Sequence, residues 1–238
     1  MNTIPSFKSS VLTDIESTRL LRSAFPRSLE VYVDNALRVV PLAETRPFVN
    51  EHASVDVRGE EFCLLRRVYF DYAYIKDGGW HTHARWQLPS LEQDILACIY
   101  STHHDGTVRA QTINRLIESR HDWALPYLLN LVSDYVIEVT ELIDYRVNRI
   151  NADRLREFAA TNRQFISRSA DRALSYWDLG HRVRHHSGAD QPQYEWLEDY
   201  PAYKTLRQLE LWPRLLARKS LRKQRRLRAR RIARALEK

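Results

Sequence analysis

The sequence predicts an all-α protein, and three observations carry that prediction. Glycine is scarce, at 6 of 238 residues. The most frequent residues include Leu, Arg, Ala and Glu, which are strong helix formers. From Pro89 onward, apolar residues recur at helical spacing between short polar connectors. A sandwich or barrel would need many more glycine-rich turns. With 44% hydrophobic and 11% aromatic residues, the chain has enough apolar surface for a sizeable core.

The elements follow in order. Thr13 or Asp14 caps a short helix carrying Ile15, Leu20 and Leu21, which Pro26 ends. Ser28 caps a second, with Leu29, Val33, Ala36, Leu37 and Val40 on one face. Pro41 and Pro47 bracket a turn. Residues 60–75 admit two readings. Phe62, Leu65, Val68, Tyr69 and Tyr72 fit a helical face, and we expect a helix there. The aromatic and β-branched run Val68–Ile75, followed by Asp77-Gly78-Gly79, would instead form a small hairpin near 68–86.

Ser90 with Gln93 matches a capping box and opens a helix carrying Leu91, Ile95, Cys98 and Ile99. Thr107 starts the next, with Ala110, Ile113, Leu116 and Ile117. Asp122 starts another, with Pro126 in its first turn where little backbone bonding is lost. Ser133-Asp134 breaks it, and Val136, Val139, Ile143, Val147 and Ile150 continue at helical spacing. Residues 151–179 predict two more helices, and Gly180 a C-cap. Such helices bury one face only by stacking on neighbours.

The string Asp105-Gly-Thr-Val-Arg109-Ala, then Leu116-Ile, Ala124-Leu-Pro-Tyr-Leu-Leu129 and Asp134-Tyr-Val-Ile-Glu-Val139 resembles HEAT repeats of bacterial type. The resemblance is strongest over 105–150. Glu138-Val139-Thr140 stands where the next unit would carry Val-Arg. The resemblance implies a HEAT-like α-solenoid and a scaffold that grips partners. It also implies a structural role for Arg109, paired with the Asp of a repeat turn, for which Asp105 and Asp134 are the candidates.

The organisation expected is an N-terminal helical region (1–88), a HEAT-like region (89–180), a polar and aromatic linker (181–213) and a basic helical tail (214–238). The acidic-aromatic stretch with Tyr194, Trp196, Leu197, Tyr200 and Tyr203 either folds back on the body or meets a partner.

Charge is concentrated at the end of the chain. Residues 214–238 hold twelve Lys/Arg against Glu237 alone, while the other 213 residues carry 25 basic and 29 acidic side chains. Arg218, Lys219, Arg222, Lys223, Arg225, Arg226, Arg228, Arg230, Arg231 and Arg234 are the candidate polyanion contacts. Such contacts to RNA or DNA would be salt-sensitive and weakly sequence-specific. The tail lacks the aromatic residues that stack single-stranded bases.

Enzyme motifs are missing. The sequence has no glycine-rich phosphate loop, Cys-x-x-Cys or Gly-x-Ser-x-Gly. His81 and His83 would share a face of a strand, as paired metal ligands do, but no third ligand has a fixed spacing. Trp123 and Trp177 read as core residues. Cys63 and Cys98 read as buried free thiols, consistent with a reducing compartment. The start of the sequence lacks an apolar stretch behind a basic one, and no run nears the roughly 20 residues of a membrane span. The expectation is a cytoplasmic, non-catalytic scaffold or adaptor without a cofactor, binding a protein partner within a larger assembly. Nucleic-acid binding through the tail is the second reading, and a metal enzyme built on His81 and His83 the third.

Overall fold

The computed structural model describes residues 14–40, 49–70, 88–181 and 194–213. The candidate ligands His81 and His83 and the basic tail 214–238 lie outside the described residues.

Helix α1 (Asp14–Ser23) leads through a 3-10 turn into α2 (Glu30–Leu37). Leu29, Val33, Ala36, Leu37 and Val40 are all buried, so the periodicity located the inward face. The expected Ser28 cap is not used: Pro26 precedes the turn, and no side chain caps it.

Over the described residues 60–70 the expected helix is not formed; residues 71–75 lie outside the described ones. Strand β1 (Val49–Val57) pairs antiparallel with β2 (Glu60–Arg67), Val55 opposite Phe62 and Val57 opposite Glu60. The two-residue link is Arg58-Gly59, with φ of +55° and +84°. Positive φ at both central positions is the turn geometry that matches strand twist, and glycine adopts it without strain. This hairpin lies ahead of the one suggested near 68–86, whose turn Asp77-Gly78-Gly79 lies outside the described residues. Phe62, Leu65 and Val68 fit a helix period, while Phe62 and Leu64 fit a strand period, and all four are buried. The partner strand Val49–Val57 decided between them.

The remaining helices are α3 (Ser90–Ser101), α4 (Gly106–Glu118), α5 (Leu125–Val132), α6 (Ile137–Arg146), α7 (Ala152–Thr161), α8 (Arg163–Tyr176) and α9 (Pro201–Gln208). Two caps differ from expectation. Ser90 makes no cap bond, and Gln93 Nε2 instead donates to the Leu88 carbonyl. Asp105, not Thr107, caps α4, accepting the Thr107 N–H at 2.7 Å. Gly106 opens α4 because a Cβ there would meet both Val136 methyls at 2.9 Å.

One core runs through hairpin and helices. Asn162, between α7 and α8, binds the hairpin as a strand would. It accepts from the Asp56 N–H at 2.8 Å and donates to the Asp56 carbonyl at 2.7 Å. Residues 194–213 belong to the same core through Leu197, Tyr200, Leu206, Leu209 and Trp212. Trp177, 1% exposed, anchors that return by donating from Nε1 to the Tyr194 carbonyl at 2.7 Å. Among the described residues no helix is long and apolar enough to cross a membrane.

Candidate functional site

Asp134, in the connector between α5 and α6, is the centre of the most charged part of the core. Arg109 from α4 clasps it with both edges of its fork, Nε to Oδ2 at 3.0 Å and Nη2 to Oδ1 at 2.7 Å. Both side chains are fully buried. The remaining Arg109 nitrogen, Nη1, donates to the carbonyls of His103 and His104 at 2.8 and 3.0 Å. A buried guanidinium is tolerable only with this kind of full satisfaction. Of the two candidate partners for Arg109, Asp134 is the one in contact, and Asp105 is occupied as a helix cap.

Asp134 takes two further donors. The Val136 N–H reaches Oδ1 at 2.9 Å, and Arg67 Nη2 from the end of β2 reaches Oδ2 at 2.6 Å. The carboxylate is therefore saturated by two guanidiniums and a backbone amide.

Tyr135 covers this knot. Its ring lies under the guanidiniums of Arg67 and Arg109, each 5.2 Å from the centroid. Tyr176, at the end of α8, meets the ring edge-on with centroids 6.2 Å apart, and its hydroxyl accepts from Arg66 Nη2 at 2.6 Å. Tyr135 is 46% exposed and Leu179, one turn beyond Tyr176, is 74% exposed. Tyr135 and Tyr176 thus meet Arg67 and Arg66 at a surface fixed from below by a buried ion pair.

The α3–α4 connector lines the interior side. His103 stacks on Phe70 with centroids 4.8 Å apart, and its Nδ1 accepts the Asp105 N–H at 2.8 Å. Burial, with His104 stacked beside it, pushes the His103 imidazole down to about 3. The folded chain holds it neutral, while the unfolded chain protonates it near 6.5. The unfolded state therefore binds the proton first as pH falls. The stabilisation is full above the unfolded pKa and is lost as pH drops toward the folded one. Between about pH 7 and about pH 5 that loss is ~2 kcal/mol. Urea titrations across that range should show it, and His103→Asn, which keeps an acceptor for the Asp105 amide, should flatten the slope.

Sequence reasoning found Asp134 and Arg109 but missed Arg67, Tyr135 and Tyr176. Tyr135 carried one available signal, a large aromatic beside the proposed turn aspartate. Arg66 and Tyr176 are 110 positions apart, so no local pattern could have joined them. Among the described residues no group of three His, Cys, Asp or Glu side chains is placed to hold a metal ion.

The fold and this cluster define a mainly helical protein with a small antiparallel hairpin and an ordered arginine–tyrosine face. Searches against protein-family models, curated proteins and solved structures find no match to this chain.

Proposed function

We propose that the protein is a non-catalytic adaptor that binds a protein partner, with Tyr135 at the centre of its contact face. The HEAT-like reading of residues 105–150 belongs to the same proposal. The observation that carries it is the half-exposed Tyr135 ring held by Arg67, Arg109 and Tyr176. Tyr and Arg are enriched among the residues that dominate binding energy at interfaces. A side chain already fixed before binding loses little entropy on docking. The saturated Asp134 leaves no free carboxylate there for acid–base chemistry.

A photo-crosslinking residue at position 135, in cells producing the full chain, tests this. A discrete adduct is expected from position 135 and not from the exposed control position Glu157. No adduct, or the same adducts from both positions, would contradict the proposal. Nucleic-acid binding is the second reading, supported by the charge of residues 214–238.

A further inference from the structure

The hairpin has an open edge, and its register shows which backbone groups line it. Val57 and Glu60 flank the two-residue turn and form a hydrogen-bonded pair, and so do Val55 and Phe62. Ala53 continues the series opposite Leu64. The N–H and C=O groups of Asp56, Ser54 and His52 therefore point away from β2. At Asp56 the carboxamide of Asn162 meets both groups, as a neighbouring strand would. One step along the edge nothing does the same. Among the described residues no group hydrogen-bonds the Ser54 N–H or C=O, and Ser54 is exposed. Its hydroxyl turns across the strands to Glu61.

Natural sheets guard such edges with lysine, proline or a bulge. Here the bulge lies between Val49 and His52 and ends the regular stretch, while His52-Ala53-Ser54 holds neither lysine nor proline. An antiparallel edge is complementary to itself about a twofold axis. The occupied Asp56 limits the register. An axis at Ala53 sets Ser54 of each copy opposite His52 of the other, both pairs exchanging both their N–H···O bonds without calling on Asp56. An axis at Ser54 would need Asp56 for every bond outside the central pair. With the axis at Ala53, that residue faces its own copy at the closely spaced position, about 4.5 Å between Cα atoms, where a small side chain fits.

We propose that the β1 edge at His52–Ser54 docks a second copy of this chain, joining two hairpins antiparallel into one four-stranded sheet. The bulge keeps the shared edge short, so the dimer is a reversible one. The site stands on β1 and Asn162 and does not depend on Tyr135 contacting another protein.

Sedimentation velocity of the full chain over a concentration series tests the proposal, at a salt concentration that screens the basic tail. The expected result is a monomer–dimer equilibrium in the micromolar range. Ser54→Pro removes the outward N–H, which β2 does not use, and should weaken the dimer roughly tenfold or more. Ser54→Lys keeps the N–H and brings a like charge from each copy toward the axis, so it should weaken the dimer as well. Glu157→Gln, exposed on α7, should leave it unchanged. Urea midpoints would show that each variant is folded. Hydrogen exchange at the Ser54 amide should slow as the dimer forms. A monomer at every concentration, unchanged affinity in either folded Ser54 variant, or a dimer that leaves exchange at that amide unaltered would overturn the proposal.

Discussion

Asp134→Asn should lower stability by about 3–5 kcal/mol, read as a fall in the urea midpoint at unchanged slope. The substitution is nearly isosteric, so packing is not what is lost. Arg109, with no exposed side-chain surface, would keep its charge and lose its counter-ion. Arg67 would lose its carboxylate at the same time. The asparagine amide would also turn a donor toward groups that are themselves donors.

The loss should be strongly coupled to Arg109. Arg109→Met removes the buried charge but strands the carbonyls of His103 and His104, so it also destabilises. The double variant Asp134→Asn/Arg109→Met should cost less than the sum of the two by roughly 1–3 kcal/mol, since each single change exposes the penalty of the other partner. A cost for Asp134→Asn within about 1 kcal/mol would mean that the carboxylate is not what neutralises the knot.

Trp177→Ala should produce a loss of similar size by a different route, about 3–5 kcal/mol from the vacated volume. Trp177 is 1% exposed and sits where α8 passes into a one-turn π segment, Trp177–His181. The effect should fall first on the returning segment. Tyr194 loses the indole donor, and the packing of Tyr200, Leu206 and Trp212 rests on that return. Limited proteolysis should therefore cut near residues 194–213 in Trp177→Ala under conditions where the wild type resists. Trp177→Phe keeps most of the volume and loses the hydrogen bond, so about 1–2 kcal/mol is expected. Protection of 194–213 unchanged in Trp177→Ala would show that this segment is held by other contacts.

These two residues mark what the sequence could and could not disclose. Helical periodicity picked out the inward residues of α2 through α8, because burial of one face imposes that spacing. The aspartate partner for Arg109 was implied by the resemblance to HEAT repeats, not by periodicity. Periodicity failed over residues 60–70, where Phe62, Leu65 and Val68 satisfy a helical spacing and the choice depended on a pairing with Val49–Val57. The return of residues 194–213 was one of two readings, since an acidic-aromatic stretch suits a core edge and an interface equally.

The site was legible only at Arg109 and Asp134, which are 25 residues apart within one helical stretch. Arg67 reaches Asp134 across 67 positions, and Arg172 reaches Asn130 and Ser133 across about 40. Long-range convergence of this kind leaves no periodic trace. Arginines spaced along a helix look alike in sequence, whether they meet a carboxylate, neutral oxygens or water.

The central claim is that the Asp134 knot exists to hold a contact face, with Tyr135 as its exposed element. The measurement that reaches it most directly is the affinity of Tyr135→Ala for the partner crosslinked at position 135, taken beside the folding stability of the same variant. Removing the ring forfeits two cation–π contacts, to Arg67 and Arg109, and should cost about 1–2 kcal/mol of stability. The account predicts that binding falls by about 2 kcal/mol or more, roughly thirtyfold, while the chain stays folded. A folded Tyr135→Ala protein that binds its partner as tightly as the wild type would contradict it.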